Sequence, residues 1–229
     1  DYLILNTIWW IEFSGLSGIR MDTYPYPDKD FMSRWTCDVL NEYPNFNVVG
    51  EEWVDKPAIV SYWQQGKMNH DGYVSCLPSL MDFPIQAAMA KGLIQDEKQW
   101  GHGMILMYEM LAMDFLYPDP DNLVIFADNH DMDRFYTQVN EDYKLFEIGM
   151  SYLLTLRGIP QVYYGTEILM NSSDARGDHG VIRTDFPGGW DMDPVNAMTG
   201  SGLSEDQKKA QDFMRKLLNW RKNKAVIHN

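Results

Sequence analysis

Three acidic residues each follow a short apolar run, a position from which a carboxylate can do chemistry. The runs are residues 18–21 before Asp22, residues 47–50 before Glu51, and residues 123–127 shortly before Asp131. A short apolar run bounded by turn residues predicts a buried parallel strand. An acid at the end of such a strand is poorly placed for the core but well placed for a reaction. The pattern predicts a hydrolase that works with carboxylates.

The composition indicates a globular protein, and its charge is compatible with a neutral polymer such as a sugar chain. The 229 residues are 45% hydrophobic and 14% aromatic, which is enough apolar side chain for a sizeable core. The formal net charge of −14 and the lack of a basic run argue against nucleic acid, because phosphates need Lys and Arg. Eight Trp and 13 Tyr suit stacking on sugars, although most aromatic residues fill cores.

The two cysteines, Cys37 and Cys76, do not have a CxxC or metal-type spacing. We therefore expect two buried thiols. No stretch of the sequence is long and apolar enough to predict a membrane span. The chain begins Asp1-Tyr2-Leu3 without a Met, so we expect it to be a piece of a longer protein.

Periodicity predicts helices that alternate with strands. The predicted helices cover residues 2–13, 28–43, 56–65, 82–91, 98–114, 143–156 and 204–222. The predicted strands cover residues 18–22, 47–51, 73–76, 123–127 and 161–164, and a long loop covers residues 166–202. The first helix is apolar throughout and is expected to be buried. Alternation of this kind favours a parallel sheet.

Four segments resemble sequence motifs of the α-amylase family of glycoside hydrolases, glycoside hydrolase family 13. Residues 18–22, 49–53, 126–131 and 158–167 resemble the motifs of strands four, five, seven and eight, in the right order. Residues 22–28 and 182–190 more narrowly resemble the neopullulanase and cyclomaltodextrinase group. Typical α-amylases have Lys-His where this chain has Pro25-Tyr26, so an ordinary endo-acting α-amylase is less expected.

The resemblance implies an α/β fold that is the C-terminal portion, about strands 4–8, of a (β/α)8 TIM barrel. Such a barrel needs eight strands and typically ~250 residues, whereas about five strands are predicted. Residues 1–229 would then form a partial catalytic domain. The N-terminal half of the barrel and the C-terminal β-sandwich are expected to be absent, and the isolated piece is expected to be poorly active.

The resemblance also implies a retaining glycosidase with Asp22 as nucleophile and Glu51 as acid/base. Retention needs two carboxyl groups about 5–5.5 Å apart. Asp131 resembles the carboxylate that binds sugar hydroxyls and stabilises the transition state. Since Arg20 lies two residues from Asp22, its charge would favour the ionised nucleophile. Glu52 remains an alternative to Glu51 on sequence alone.

Further substrate contacts are implied for His130, Trp53 and Arg183. Trp53 has two equal interpretations, stacking on a sugar or packing the loop. For Arg183, as for Asp185 and Trp190, packing or turn formation is the stronger alternative to contact with distal sugars. Asp128 is interpreted as a structural carboxylate.

The implied activity is hydrolysis of α-glucosidic bonds in starch-derived α-glucans, namely maltooligosaccharides, pullulan and cyclodextrins. Transglycosylation on the same scaffold and a non-catalytic carbohydrate-binding role are the alternatives. The chemistry needs no cofactor, no metal site is expected, and structural calcium would belong to the absent part. An α-glucan is the expected partner, without nucleic acid or a membrane span. Relatives suggest a homodimer of the full-length protein and a periplasmic location.

Overall fold

The computed structural model describes residues 1–95 and 98–227. The α-helices are α1 Tyr2–Ser14, α2 Lys29–Glu42, α3 Pro57–Val60, α4 Phe83–Ile94, α5 Ile105–Ala112, α6 Phe135–Gln138, α7 Tyr143–Thr155, α8 His179–Ile182 and α9 Glu205–Lys222. The strands are β1 Gly18–Met21, β2 Asn47–Gly50, β3 Ser79–Leu80, β4 Val124–Phe126 and β5 Ile159–Gln161. No helix within the described ranges is long and apolar enough to cross a membrane.

The chain forms two compact units. Unit 1 comprises Asp1–Ala87 and Tyr108–Ile125, and unit 2 comprises Ala88–Met107 and the chain from Phe126 onwards. The chain passes from one unit to the other within α4, α5 and β4.

Unit 1 contains a three-stranded sheet in the order β1-β2-β3. Both pairings are parallel, as the alternation of elements predicts, with Met21 opposite Gly50 and Gly50 opposite Leu80. Met81, just after β3, forms a parallel bridge with Val124 in the same unit. Because β1 and β2 run in the same direction, the residues that follow them lie at one edge of the sheet.

Helix α2 covers the sheet of unit 1 with a periodic apolar face. Met32, Trp35 and Val39 on this face are buried, at the three- to four-residue spacing of an amphipathic helix. The side chain of Asp28 accepts a hydrogen bond from the Phe31 amide and so caps the helix N-terminus. The predicted helix over residues 28–43 is therefore confirmed nearly to its ends.

Helix α1 has the predicted extent, but the expectation that it is buried is wrong. Ile4 and Ile11 are buried, whereas Tyr2 and Phe13 are 79% and 70% exposed. Apolar residues on every face of a helix predict that all of its faces are buried. In α1, only the face that carries Ile4 and Ile11 packs against the rest of unit 1. Gly15 ends the helix in the left-handed conformation, at φ 65°.

The cysteine expectation is also wrong, because Cys37 and Cys76 form a disulfide. Cys37 lies on α2, and Ser33 one turn earlier donates a hydrogen bond to the Val74 carbonyl (2.6 Å). The two Cα atoms are 5.1 Å apart, which is within the range that a disulfide spans. The predicted strand over residues 73–76 is absent, and this segment is an irregular stretch before β3.

Unit 2 is built around α7 and α9. Ser204 and Gln207 form a capping box at the start of α9, whose last turn carries the buried Arg221. The Arg221 guanidinium donates to the carbonyls of Leu154 (2.8 Å) and Gly158 (3.0 Å), and so satisfies acceptors at and beyond the end of α7.

Three further elements after α4 differ from prediction. β5 covers Ile159–Gln161 rather than residues 161–164, and α5 covers Ile105–Ala112 rather than residues 98–114. The predicted loop over residues 166–202 contains the short helix α8, which begins at the capping residue Asp178.

Candidate active site

The ends of β1 and β2 bring Arg20, Asp22 and Glu51 together in unit 1. The Glu51 amide donates to the Met21 carbonyl (3.0 Å), and the Tyr24 amide donates to the Glu51 carbonyl (3.0 Å). These two bonds extend the parallel pairing beyond the strands and fix the backbone that carries both acids.

The Arg20 guanidinium lies between the two carboxylates. Its Nη1 is 3.2 Å from Asp22 Oδ1, and its Nη2 donates to Glu51 Oε1. The amide of Thr23 donates to the other oxygen of Glu51 (3.1 Å). Thr23 has a φ of 45°, an uncommon conformation for a β-branched residue, and this local strain accompanies its place between the acids.

The two acids have different environments. The side chain of Glu51 is 5% exposed, whereas that of Asp22 is 70% exposed. Burial raises the pKa of Glu51, and a hydrogen bond with Asp22 adds to the increase, while the Thr23 amide and the Arg20 charge oppose it. Glu51 therefore holds a proton more readily than an ordinary glutamate, and Asp22 faces solvent.

Residues that follow Glu51 extend this site. Glu52 is half-buried, and burial raises its pKa against a hydrogen bond from Trp63. Trp53 stacks on Phe83 with ring centroids 4.8 Å apart and remains 51% exposed. Trp53 thus packs against a neighbour and also presents indole surface to solvent, so both interpretations of this residue stand.

Unit 2 places His130, Asp131 and Arg183 together beyond the end of β4. Asp131 Oδ1 accepts a hydrogen bond from Arg183 Nη2, and Asp131 Oδ2 lies 3.0 Å from His130 Nε2. His179 also approaches, with its Nδ1 3.8 Å from Asp131 Oδ1. The Asp131 amide donates to the side chain of the buried Asn129 (2.8 Å), which orients the loop from below.

Asp128 has a structural role, in agreement with the prediction. Its buried carboxylate accepts hydrogen bonds from the Phe135 amide (2.7 Å) and the Thr166 hydroxyl (3.0 Å). Burial raises the pKa of Asp128 to about 6, although these two bonds and the charge of Arg134 oppose the increase. Asp128 thereby connects the loop after β4 to α6 and to the turn after β5.

Arg134 is fully buried beneath the loop of unit 2. Its guanidinium lies over the rings of Tyr163 and Tyr164, at 4.2 and 4.6 Å from their centroids, and donates to the Tyr164 carbonyl. Such cation–π contacts stabilise a desolvated arginine. Arg134 therefore connects the segment after β4 to the residues that follow β5.

Sequence reasoning identified the charged residues of the two clusters and missed Thr23, Asn129, Arg134 and His179. Thr23 was missed because its contribution is a backbone amide, and Asn129 because its side chain acts within its own loop. His179 could have been found, since it lies four residues before Arg183 and one helical turn brings such residues together.

Within the described residues, no group of three or more His, Cys, Asp or Glu could hold a metal ion.

A family model described as "Alpha amylase, catalytic domain" matches residues 7–226. The chain belongs to the α-amylase family. This family comprises enzymes that act on α-glucans, so the recognition made from the four sequence motifs is confirmed. Its fold is that of an α-amylase catalytic domain.

Curated relatives of this α-amylase-family chain include cyclomaltodextrin glucanotransferases. The protein from Bacillus sp. (strain 38-2) is 32% identical over 165 residues, which are 72% of this chain and 22% of that relative. The protein from Geobacillus stearothermophilus is 31% identical over 166 residues, again 72% of this chain and 21% of the relative. The chain therefore spans about a fifth of the length of these relatives.

Solved structures share the fold. The α-amylase from Geobacillus thermoleovorans, complexed with acarbose, superposes with a TM-score of 0.75 at 24% identity, over 99% of this chain and 44% of that one. Cyclic α-maltosyl-(1→6)-maltose hydrolase from Arthrobacter globiformis has a TM-score of 0.72 at 17% identity, over 98% and 44%.

Proposed function

We propose that the protein cleaves α-glucosidic bonds in starch-derived α-glucans and retains the anomeric configuration. The observation that carries this proposal is the Arg20 guanidinium held between Asp22 and Glu51. Two carboxylates that share one guanidinium and a hydrogen bond lie close together, as in retaining enzymes. Inverting enzymes separate theirs by about 6.5–9.5 Å to admit a water molecule.

The proposed reaction has two steps. In the first, Glu51 donates its proton to the glycosidic oxygen, the bond to the leaving sugar breaks, and Asp22 bonds to the anomeric carbon. In the second, Glu51 takes a proton from water, the hydroxide forms the new bond to that carbon, and the Asp22 carboxylate leaves. Both residues return to their starting protonation states.

The environments of the two acids suit these roles. Glu51 must carry a proton at the start, and its burial raises its pKa. Asp22 must be ionised, and it is exposed and paired with Arg20. Arg20 also opposes complete protonation of Glu51, so that the same residue can act as the base in the second step.

Asp131 and His130 are proposed to bind sugar hydroxyls and to stabilise the oxocarbenium-like transition state. Trp53 and Arg183 are proposed to contribute to the substrate site. These roles follow from the motif that the sequence shares with the family, and the exposed indole of Trp53 is compatible with stacking on a sugar.

We also propose an enzyme subgroup, an oligomeric state and a cellular location for the protein. The chain would represent about strands 4–8 of a (β/α)8 barrel in a neopullulanase- or cyclomaltodextrinase-like enzyme that dimerises as the full-length protein. No cofactor is proposed for the chemistry. The Cys37–Cys76 disulfide supports a periplasmic location, because disulfides persist in oxidising compartments.

The test uses the intact protein and its D22N, E51Q and D131N variants, with D212N as the control for loss of a carboxylate. Asp212 is an exposed partner of Arg215 on α9. We expect E51Q to lose about 10²–10⁴-fold in kcat/KM on maltotriose, as general acid–base catalysis is worth. D22N lacks the nucleophile and should lose at least as much. A 2-deoxy-2-fluoro glycosyl fluoride should label Asp22. Full activity in both variants, or a label elsewhere, would reject the proposal.

Transfer of the glycosyl group to a second sugar is the alternative, and the names of the curated relatives favour it. Those relatives are glucanotransferases, and the same first step serves both outcomes. Incubation with maltotriose separates the two reactions. Products longer than maltotriose indicate transfer, whereas glucose and maltose alone indicate hydrolysis.

A further inference from the structure

We propose that Arg183, supported by His179, is a positioning residue that holds the carboxylate of Asp131 in its working orientation. This inference rests on the proposed function, in which Asp131 stabilises the transition state. It assigns Arg183 an action through Asp131 rather than a direct contact with the sugar, and it adds His179 to the machinery.

Arg183 binds the loop after β4 at two consecutive residues. Its Nε donates to the carbonyl of His130 (2.8 Å), and its Nη2 donates to Oδ1 of Asp131. One planar guanidinium therefore fixes both the backbone and the side chain of the loop. Lysine carries a single point charge and could not make these two contacts with one fixed geometry.

The two oxygens of Asp131 have different partners. Arg183 holds Oδ1, and His130 Nε2 lies 3.0 Å from Oδ2. A hydrogen bond on one oxygen and a close imidazole contact on the other restrict the rotation of the carboxylate plane. The side chain is 25% exposed, so part of it still faces solvent, where a sugar hydroxyl would approach.

His179 orients Arg183 from the preceding helical turn. Its Nδ1 lies 2.7 Å from Arg183 Nη2, where a ring nitrogen without a proton accepts a hydrogen bond from the guanidinium. Helix α8 supplies this geometry, because Asp178 caps its start (2.8 Å to the Gly180 amide) and Arg183 follows its end. The side chain of Asp133 accepts a hydrogen bond from the Gly177 amide (2.9 Å). This bond connects the segment before α8 to the loop after β4.

A direct sugar contact and a positioning role make different predictions for a double-mutant cycle. We would measure kcat/KM of the intact protein, R183A, D131N and D131N/R183A. An aryl α-maltoside with a good leaving group keeps activity in the D131N background measurable. If Arg183 acts through Asp131, R183A should cost about 10²-fold in the wild-type background, as a displacement of about 1 Å can. In the D131N background, the added R183A change should alter kcat/KM by no more than about twofold.

Chemical rescue provides a measurement that general damage to the fold would not change. Millimolar guanidinium should restore part of the activity of R183A and none of that of D131N/R183A. R183K should remain impaired, because it restores charge without the planar fork. H179A should lose less than R183A, and H179N, which keeps an acceptor near the position of Nδ1, should recover. R215Q removes an exposed arginine of α9 and serves as the control.

Two results would overturn the inference, and they are distinguishable. If R183A costs the same factor in both backgrounds, Arg183 contacts the substrate directly and the positioning role is rejected. If D131N retains full activity, the role of Asp131 in the proposed function fails, and the inference fails with it.

Discussion

Arg20 forms an ion pair with Glu51, a carboxylate that the fold has almost fully buried. A buried ion pair usually favours the charged acid, yet here burial raises the pKa of Glu51 more than Arg20 lowers it. Desolvation and Asp22, which raise this pKa, together outweigh the Thr23 amide and the Arg20 charge, which lower it.

Removal of the Arg20 charge should move the pH profile toward higher pH. The charge of Arg20 lowers the pKa of Glu51, so this pKa should rise in R20Q. Because the proposed first step needs protonated Glu51, the basic limb of kcat/KM should shift upward while the maximal rate falls. R20K, which keeps the charge, should shift less, and R215Q should not shift. An unchanged or lowered basic limb in R20Q would contradict this assignment of Glu51.

The disulfide between Cys37 and Cys76 should contribute substantially to stability. It closes a loop with a sequence separation of 39 that contains β2 and Glu51. Chain-entropy arguments give about 3–4 kcal/mol for a loop of this length. Reductant should lower the Tm of the wild-type protein, and the C37S/C76S variant should have the lower Tm without reductant. Equal thermal unfolding of oxidised and reduced protein would show that the crosslink is energetically neutral.

Asp128 should make the stability fall as pH rises through the mildly acidic range. The pKa of Asp128 is about 6 in the folded protein, above the ordinary aspartate value of 3.8. Between these two pH values, the folded protein therefore binds this proton more tightly than the unfolded chain does. The protonated state therefore stabilises the fold, and this contribution is lost as pH rises from about 4 to about 6.

Urea midpoints of wild type and D128N, measured from pH 4 to pH 7, isolate this contribution. The difference in free energy of unfolding, wild type minus D128N, should decrease as pH rises, whereas the difference for the exposed D212N should not follow the same curve. A difference that is flat or increases with pH would show that Asp128 titrates normally.

The sequence predicts the elements that carry the acids, because their patterns are local. Helix α2 has both an N-cap, Asp28, and a periodic apolar face, and it was placed nearly to its ends. The strands before Asp22 and Glu51 were placed within one residue, since each combines a short apolar run with turn residues.

The features that escaped prediction depend on spatial neighbours. The Cys37–Cys76 bond requires α2 and the segment before β3 to meet, which spacing along the chain does not reveal. The exposure of α1 depends on which elements pack against it, and the hydrophobicity of its sequence does not specify those elements. Helix α8 is only four residues long and follows Gly177, so its sequence resembles that of the surrounding loop. The helix was therefore not predicted, and neither was the contact between His179 and Arg183.

Gly50 should tolerate no side chain, because it lies at the end of β2 where the backbone is enclosed. A Cβ at Gly50 would come within 2.7 Å of Leu77 Cδ2 and 3.1 Å of Tyr24 Cγ, and both side chains are fully buried. Overpacking of this kind costs about 1–3 kcal/mol. Since Glu51 is the next residue, relief of the clash should also displace the proposed acid/base.

We expect G50A to lower the free energy of unfolding by that amount and to reduce kcat more than it raises KM. G189A is the matched control, because a Cβ there would make only an ordinary contact, at 3.4 Å from the Phe186 carbonyl oxygen. Urea unfolding and steady-state kinetics on both variants decide the matter. If G50A were as stable and as active as G189A, the end of β2 would be free to move, and the site would not depend on the close packing of Gly50 against Tyr24.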